Sequence, residues 1–311
     1  MTTAKTAAEH SVHSSRAALA SVSLALVLLV AKGWAAYQTG STAMLGSLAD
    51  TALDVIASLT TLVGVRIAAV PADYDHRFGH GKAEALVSLA QVVLITVSAI
   101  GILWRAIDRL LQGAQTEAMG TGIAVSLLAI ALTFVLLRYQ RRVIERTGSV
   151  AIKTDNIHYK SDLMLNSAVI VALVLDQALH VSGADAVFGI GIALWLMWGA
   201  YRASSEAIHQ LMDREWPEDE RQQFLDAAAQ FDELRGLHDL RTRKSGTLRF
   251  VQFHVWVPAE WTVQEAHDRL DHVEEQLQEQ FPDTEILIHV DPEGQVDRET
   301  LLPQEITEQA S

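Results

Sequence analysis

The sequence predicts an all-α membrane bundle of six spanning helices followed by a C-terminal α+β domain with a small open sheet. Three observations lead there. Long apolar runs fill the first two-thirds of the 311 residues, and the last third is strongly polar and acidic. Within that last third, short runs of helical and alternating character follow in the order α-β-β-α-β.

A spanning helix needs roughly 20 mostly apolar residues. The six runs extend approximately from Ala17 to Tyr37, Ala43 to Ala68, Ala83 to Leu110, Gly120 to Leu137, Asp162 to Leu179 and Ala186 to Tyr201. The second and fifth are expected to continue as helix beyond the lipid at one end. The first sixteen residues are polar and mixed in charge, unlike a cleavable signal peptide. Residues 1–16 are therefore read as an N-terminal tail and residues 17–209 as the transmembrane domain.

An even number of spans puts both termini on one side, and Lys and Arg decide which. The loop from Arg66 to Lys82 carries Arg66, Arg77 and Lys82, and the connection after the fourth span carries Arg138, Arg141, Arg142, Arg146 and Lys153. The segments from Gln38 to Thr42 and from Asp176 to Asp185 carry none, although Arg105 and Arg109 end the third span on that side. Both termini are expected to be cytoplasmic, in a multi-pass protein of the cytoplasmic (inner) membrane.

After Arg202 the pattern becomes that of a small soluble domain, taken as residues 210–292. Pro217 followed by Glu218, Asp219 and Glu220 marks a helix start, with acids at the positive end of the dipole. That helix is expected to reach about Phe231. Leu237 to Arg243 and Leu248 to Val257 read as strands joined by a turn at Ser245-Gly246. A helix from Thr262 to Phe281 and a strand from Glu285 to Val290 follow, and residues 293–311 form a polar tail expected to be disordered.

Charge follows the same division. Met1 to His209 hold 15 Lys and Arg against 14 Asp and Glu, whereas Gln210 to Ser311 hold 9 against 24. An acidic domain disfavours a nucleic-acid partner and attracts cations. With no cysteine in the chain, disulfides and thiolate metal sites are excluded. A metal must be held by His, Asp, Glu, backbone or water.

Two pairs of ionisable residues interrupt the apolar runs at helical spacing: Asp50 with Asp54, and His158 with Asp162. Charged groups in hydrocarbon cost several kcal/mol and mark ion pathways. Positions i and i+4 share a helix face, so two facing helices can bring three carboxylates and one imidazole to a point, a plausible tetrahedral set for a divalent transition metal. The bland alternative is a wet helix interface, or pairing with Lys32 or Lys160. A second cluster, Asp73, Asp75, His76 and His80, reads equally as a metal loop or as an ordinary charged loop. In the soluble domain His238, His254, His267 and His289 are widely separated, with Asp291 two residues beyond His289 and so on the same side of a strand. Each histidine alone reads as a surface or cap residue, as His272 does.

Four motifs then carry a resemblance that covers nearly the whole chain: GSTAMLGSLADTALD ending at Asp54, DHRFGHGKAE ending at Glu84, HYKSD from His158 to Asp162, and HDLRTR from His238 to Arg243. In these the chain closely resembles the cation diffusion facilitator family, in its bacterial branch of zinc, iron and cadmium proton antiporters. The resemblance implies a transport site of Asp50, Asp54, His158 and Asp162, and a loop site of Asp73, His76 and His80. It further implies a binuclear cytoplasmic site of His238, His254, His267, His289 and Asp291, the aspartate bridging. It also implies a homodimer formed through the metallochaperone-like, ferredoxin-like cytoplasmic domain, and a charged interlock of Lys82 and Asp213 where membrane and soluble parts meet.

A ligand must be deprotonated to hold metal, so binding and proton release are linked. The expectation is a transporter, not an enzyme, that exchanges cytoplasmic divalent metal for external protons by alternating access and is regulated by metal in its cytoplasmic domain. Zn2+ is the preferred substrate, with Cd2+, Fe2+, Co2+, Ni2+ and Mn2+ compatible. A metal-gated channel and a membrane-tethered sensor are the rival readings. No His-Glu-x-x-His motif supports an intramembrane metalloprotease.

Overall fold

The computed structural model describes residues 2–39, 42–112, 120–179 and 184–294. The chain divides into two compact units, His10–Ile208 and Met1–Glu9 with His209–Ser311. Long helices come first: α1 (Thr2–Thr39), α2 (Thr42–Ala68), α3 (Ala83–Gln112), α4 (Gly120–Thr147), α5 (Val150–Leu179) and α6 (Ala184–Leu211). The segment expected as an N-terminal tail is helical from Thr2 and continues into α1.

Among the described residues four helices are long and apolar enough to cross a membrane, Glu9–Gln38, Ser47–Ala68, Ala83–Leu111 and Ala186–Leu211. The helices α4 and α5 carry polar groups that the bundle turns inward. Gln140, Asp155 and Asn156 are all buried.

Close helix approach comes from small residues, since lipid tails provide no hydrophobic drive between helices. Ala17, Ala18, Ala85, Ala99, Ala151 and Ala193 are fully buried. At Gly64 the approach of α2 to α3 is so close that a Cβ would collide with the Val87 side chain.

The connection between α4 and α5 is made by two residues suited to it. Gly148, at φ +63°, ends α4 with its N–H on the Ile144 carbonyl 2.8 Å away. Ser149 starts α5, its Oγ accepting from the Ile152 N–H at 3.3 Å. The same hydroxyl donates to the buried carboxylate of Glu84 at the start of α3, at 2.7 Å.

In the C-terminal unit, α7 (Glu218–Ala228) and a 3-10 turn (Asp232–Leu234) precede β1 (His238–Ser245), β2 (Leu248–Val257), α8 (Val263–Gln280) and β3 (Thr284–Pro292). The helix expected to reach Phe231 stops at Ala228, the chain tightening into the 3-10 turn that buries Leu234. The sheet order is β1-β2-β3, antiparallel between the first two strands and parallel between the last two. The hairpin turn is Gly246-Thr247, and Gly246 supplies the positive φ of +62° that a two-residue hairpin demands. Residues 295–311, most of the expected tail, lie outside the described residues.

Alternation along β2 sorts the two faces of the sheet. Val251, Phe253, Val255 and Val257 are buried beneath Leu270, Val273 and Leu277 of α8 and Phe224 of α7. Phe224 stacks edge-on to Phe253 and lies near Phe281, with ring centroids 5.8 and 5.3 Å away. Both helices thus cover one face, and the polar face carries Gln252 and His254.

A capping box starts α8: Thr262 Oγ1 accepts from the Glu265 N–H at 3.2 Å, and Glu265 accepts from the Thr262 N–H at 2.8 Å. The backbone bond from Thr262 holds the Glu265 carboxyl below its ordinary value of 4.5. A depressed pKa contributes stability that is fully present above that ordinary value and is lost as pH falls through the folded one. Glu265→Gln should therefore melt below the wild type by a constant margin at pH 7–8, and that margin should shrink as the pH falls below about 4.5. Gly64→Ala should overpack the α2/α3 contact and destabilise the helical unit by about 1–3 kcal/mol, measured by thermal unfolding in detergent; an unchanged melting point would show that the helices separate freely there.

Candidate metal centres

Helices α2 and α5 build the first cluster. His158 Nε2 lies 3.0 Å from Asp54 Oδ1 and 3.7 Å from Asp162 Oδ2. One ligand atom from each of these three residues falls within 4.8 Å of the others. Asp54, Asp162 and Asp50 line a cavity of about 320 Å³ in the helical unit.

Asp50, expected as the fourth ligand, is outside the cluster. Its Oδ2 lies 3.8 Å from Arg105 Nη1 at the end of α3. Carboxylates crowded together repel, and the guanidinium offers an opposite charge. Lys32, one of the cations considered as a partner, instead donates to Thr51 Oγ1 at 2.7 Å while lining the same cavity.

What holds α5 in register was missed at the level of sequence. Asp155, fully buried, accepts from Ser21 Oγ of α1 at 2.7 Å and Gln140 Nε2 of α4 at 2.8 Å. Longer bonds from Gln91 Nε2 of α3 at 3.4 Å and Thr61 Oγ1 of α2 at 3.5 Å join the same carboxylate. Five helices thus meet at one side chain, three residues before His158. One turn further on, Tyr159 donates to the Ser21 carbonyl at 3.0 Å and shares a 2.8 Å hydrogen bond with Ser58 Oγ of α2. These bonds fix which face α5 turns to α2. The available signal was four polar residues, Ser21, Thr61 and Gln91 within the first three apolar runs and Gln140 just past the fourth.

The loop cluster forms as a compact unit. Asp73 Oδ1 accepts the N–H groups of Asp75 at 3.0 Å and His76 at 2.7 Å. The bond from His76 is the main cause holding the Asp73 carboxyl below its ordinary value. His76 Nδ1 and His80 Nε2 lie 3.3 and 3.4 Å from the two Asp73 oxygens. His80 Nδ1 faces the Val70 carbonyl at 3.2 Å. A proton on that nitrogen leaves Nε2 with the lone pair a metal requires. Asp75 contributes only its backbone N–H.

In the C-terminal unit the strand register lines up three histidines. His238 pairs with His254 across β1 and β2, and His254 with His289 across β2 and β3. Asp291, two residues along β3, sits beneath them: its Oδ2 is 2.8 Å from His254 Nδ1 and 3.3 Å from His238 Nε2, and its Oδ1 is 3.5 Å from His289 Nε2. His238 Nδ1 points to the Gly236 carbonyl at 2.8 Å, which directs Nε2 to the cluster. A bulge after His238, with Asp239 at φ +49°, lets the first strand start there. Gly236, at φ +68°, lies so close to the Trp256 ring that no Cβ fits.

His267, expected in this set, does not join it. It is exposed on α8, which covers the opposite, apolar face of the sheet. Of the pair expected as an interlock, Asp213 lies 3.5 Å from Arg243 within its own unit, and the Lys82 carbonyl accepts from Ala85 and Leu86 at the start of α3.

Comparison with known proteins follows from these sites. Residues 18–212 match the family described as "Cation efflux transmembrane domain", and residues 216–293 match "Cation efflux protein, cytoplasmic domain". The cation-efflux pump FieF of Cronobacter sakazakii is 42% identical over 279 residues, which is 89% of this chain and 92% of the relative. FieF of Escherichia fergusonii is 41% identical over 286 residues (92% and 95%), and that of Klebsiella pneumoniae 40% over 283 (91% and 94%). The chain belongs to the cation efflux family, the cation diffusion facilitators that its motifs resemble.

Proposed function

We propose that this chain is a multi-pass inner-membrane transporter that expels divalent cations, Zn2+ by preference, in exchange for external protons by alternating access. The observation that carries this reading is the convergence of Asp54, His158 and Asp162 from two helices onto one point beside a cavity. Two carboxylates and an imidazole, with a third carboxylate one turn away, suit a borderline ion of tetrahedral habit. Cd2+ suits the set nearly as well, and Fe2+, Co2+, Ni2+ and Mn2+ are compatible with it.

Exchange follows from the chemistry of one nitrogen. Nε2 of His158 faces both carboxylates, and a ring nitrogen that carries a proton has no lone pair for a metal. Arrival of the cation releases that proton, and a proton arriving from outside returns the favour by detaching the cation. In this reading all six long helices span the bilayer. Asp54 and Asp162 face the bundle interior, where an intramembrane charge belongs.

The reading extends to assembly and control. The two termini lie in the cytoplasm, and the chain works as a homodimer joined through residues 210–292. Two such acidic domains repel each other, and dications held by His238, His254, His289 and Asp291 relieve the repulsion. Metal in the cytoplasm thereby strengthens the dimer and signals its own abundance. The loop site of Asp73, His76 and His80 takes up or relays the same ions.

In proteoliposomes, Asp54→Ala or His158→Ala should abolish metal-driven proton flux, by at least about tenfold for the loss of one charged ligand bond, while the dimer stays intact; undiminished flux would remove that residue from the transport site. Flux of metal without proton counterflow would favour a channel. His254→Ala should weaken dimerisation or metal sensitivity and leave substantial transport. If it blocked flux as fully as Asp54→Ala, the division between transport and control would be wrong.

A further inference from the structure

The cavity beside the metal cluster has a charge balance of its own. It is lined by three acids, Asp50, Asp54 and Asp162, and three bases, Lys32, Arg105 and Arg109. With His158 neutral the formal charges cancel. A dication that entered without displacing a base would bring two uncompensated charges into a medium of low dielectric, which is costly.

Geometry singles out one base to move. Arg105 is 3.8 Å from Asp50, its side chain is 72% exposed, and its stem is long enough to swing away. Lys32 is tied to Thr51 at 2.7 Å. Asp50 is also the acid that the clusters leave out, although it sits one turn from Asp54 on the same face of α2.

We propose that Arg105 is a tethered counter-cation for Asp50, which shares that carboxylate with the transported metal so that one replaces the other. It acts as a positioning residue: guanidinium on Asp50 draws the fourth ligand away from Asp54, His158 and Asp162, and its withdrawal frees that ligand to complete the site. Arg105 thereby lowers affinity and assists release. This inference rests on the reading of Asp54, His158 and Asp162 as the substrate site.

The test uses the full chain in lipid nanodiscs, carrying Asp73→Ala, His76→Ala, His80→Ala, His238→Ala, His254→Ala, His289→Ala and Asp291→Ala so that the loop and sheet clusters lose their ligands, with Zn2+ titrated against a chelating dye. His158→Ala in this background should remove binding. If binding persists, the substrate-site reading fails and the counter-cation role fails with it. Arg105→Gln should tighten Zn2+ binding about two- to fivefold at low salt, the range of an exposed ion pair, and Arg105→Lys should stay within about twofold of the parent by the same measure. Binding by Arg105→Gln that is unchanged or weaker would overturn the proposal while leaving the site intact. In an Asp50→Asn background the gain from Arg105→Gln should vanish, because the pair is already broken; a gain of the same size there would mean that Arg105 acts by general repulsion, and the specific pairing would fall.

Discussion

A carboxylate taken out of water must be met by donors or an opposite charge, or it will not stay ionised there. The helical unit is organised around that constraint, and α5 is where it is met. Asp155 collects donors from four other helices, α1 to α4. His158 stands between Asp54 and Asp162. At the start of α5, Ser149 donates to the buried Glu84.

The acids of the helical unit play different parts. Asp155 is satisfied by neutral donors and ties five helices together, which makes it a joint. Asp54 and Asp162 are bonded to an imidazole and border a cavity. Asp155 lies three residues before His158 on the same helix, so the bonds that fix the one also fix where the other stands.

In the C-terminal unit the same requirement is met by a sheet. Both helices cover one face, and the uncovered face receives the polar row. Strand spacing brings His238, His254 and His289 within reach of one carboxylate. Asp291 is approached by three histidines and accepts from at least one of them at 2.8 Å. The high acidity of this unit then sets the field into which a cation is drawn.

Much of this was legible in the sequence. Spacing of four between Asp50 and Asp54 and between His158 and Asp162, alternation along β2, the Pro-Glu-Asp-Glu helix start and the concentration of acid after Gln210 are all local patterns, and local patterns fix periodicity and therefore faces. The loop triad was legible for the same reason, since Asp73, His76 and His80 are neighbours in the chain. What the sequence could not decide is which partners distant groups choose. Asp50 takes Arg105 rather than the cluster, His267 ends on the wrong side of the sheet for its expected companions, and Asp155 becomes the joint of five helices. Those outcomes depend on distances between elements remote in sequence, and charge pairing falls steeply with distance and burial; only the folded chain sets both.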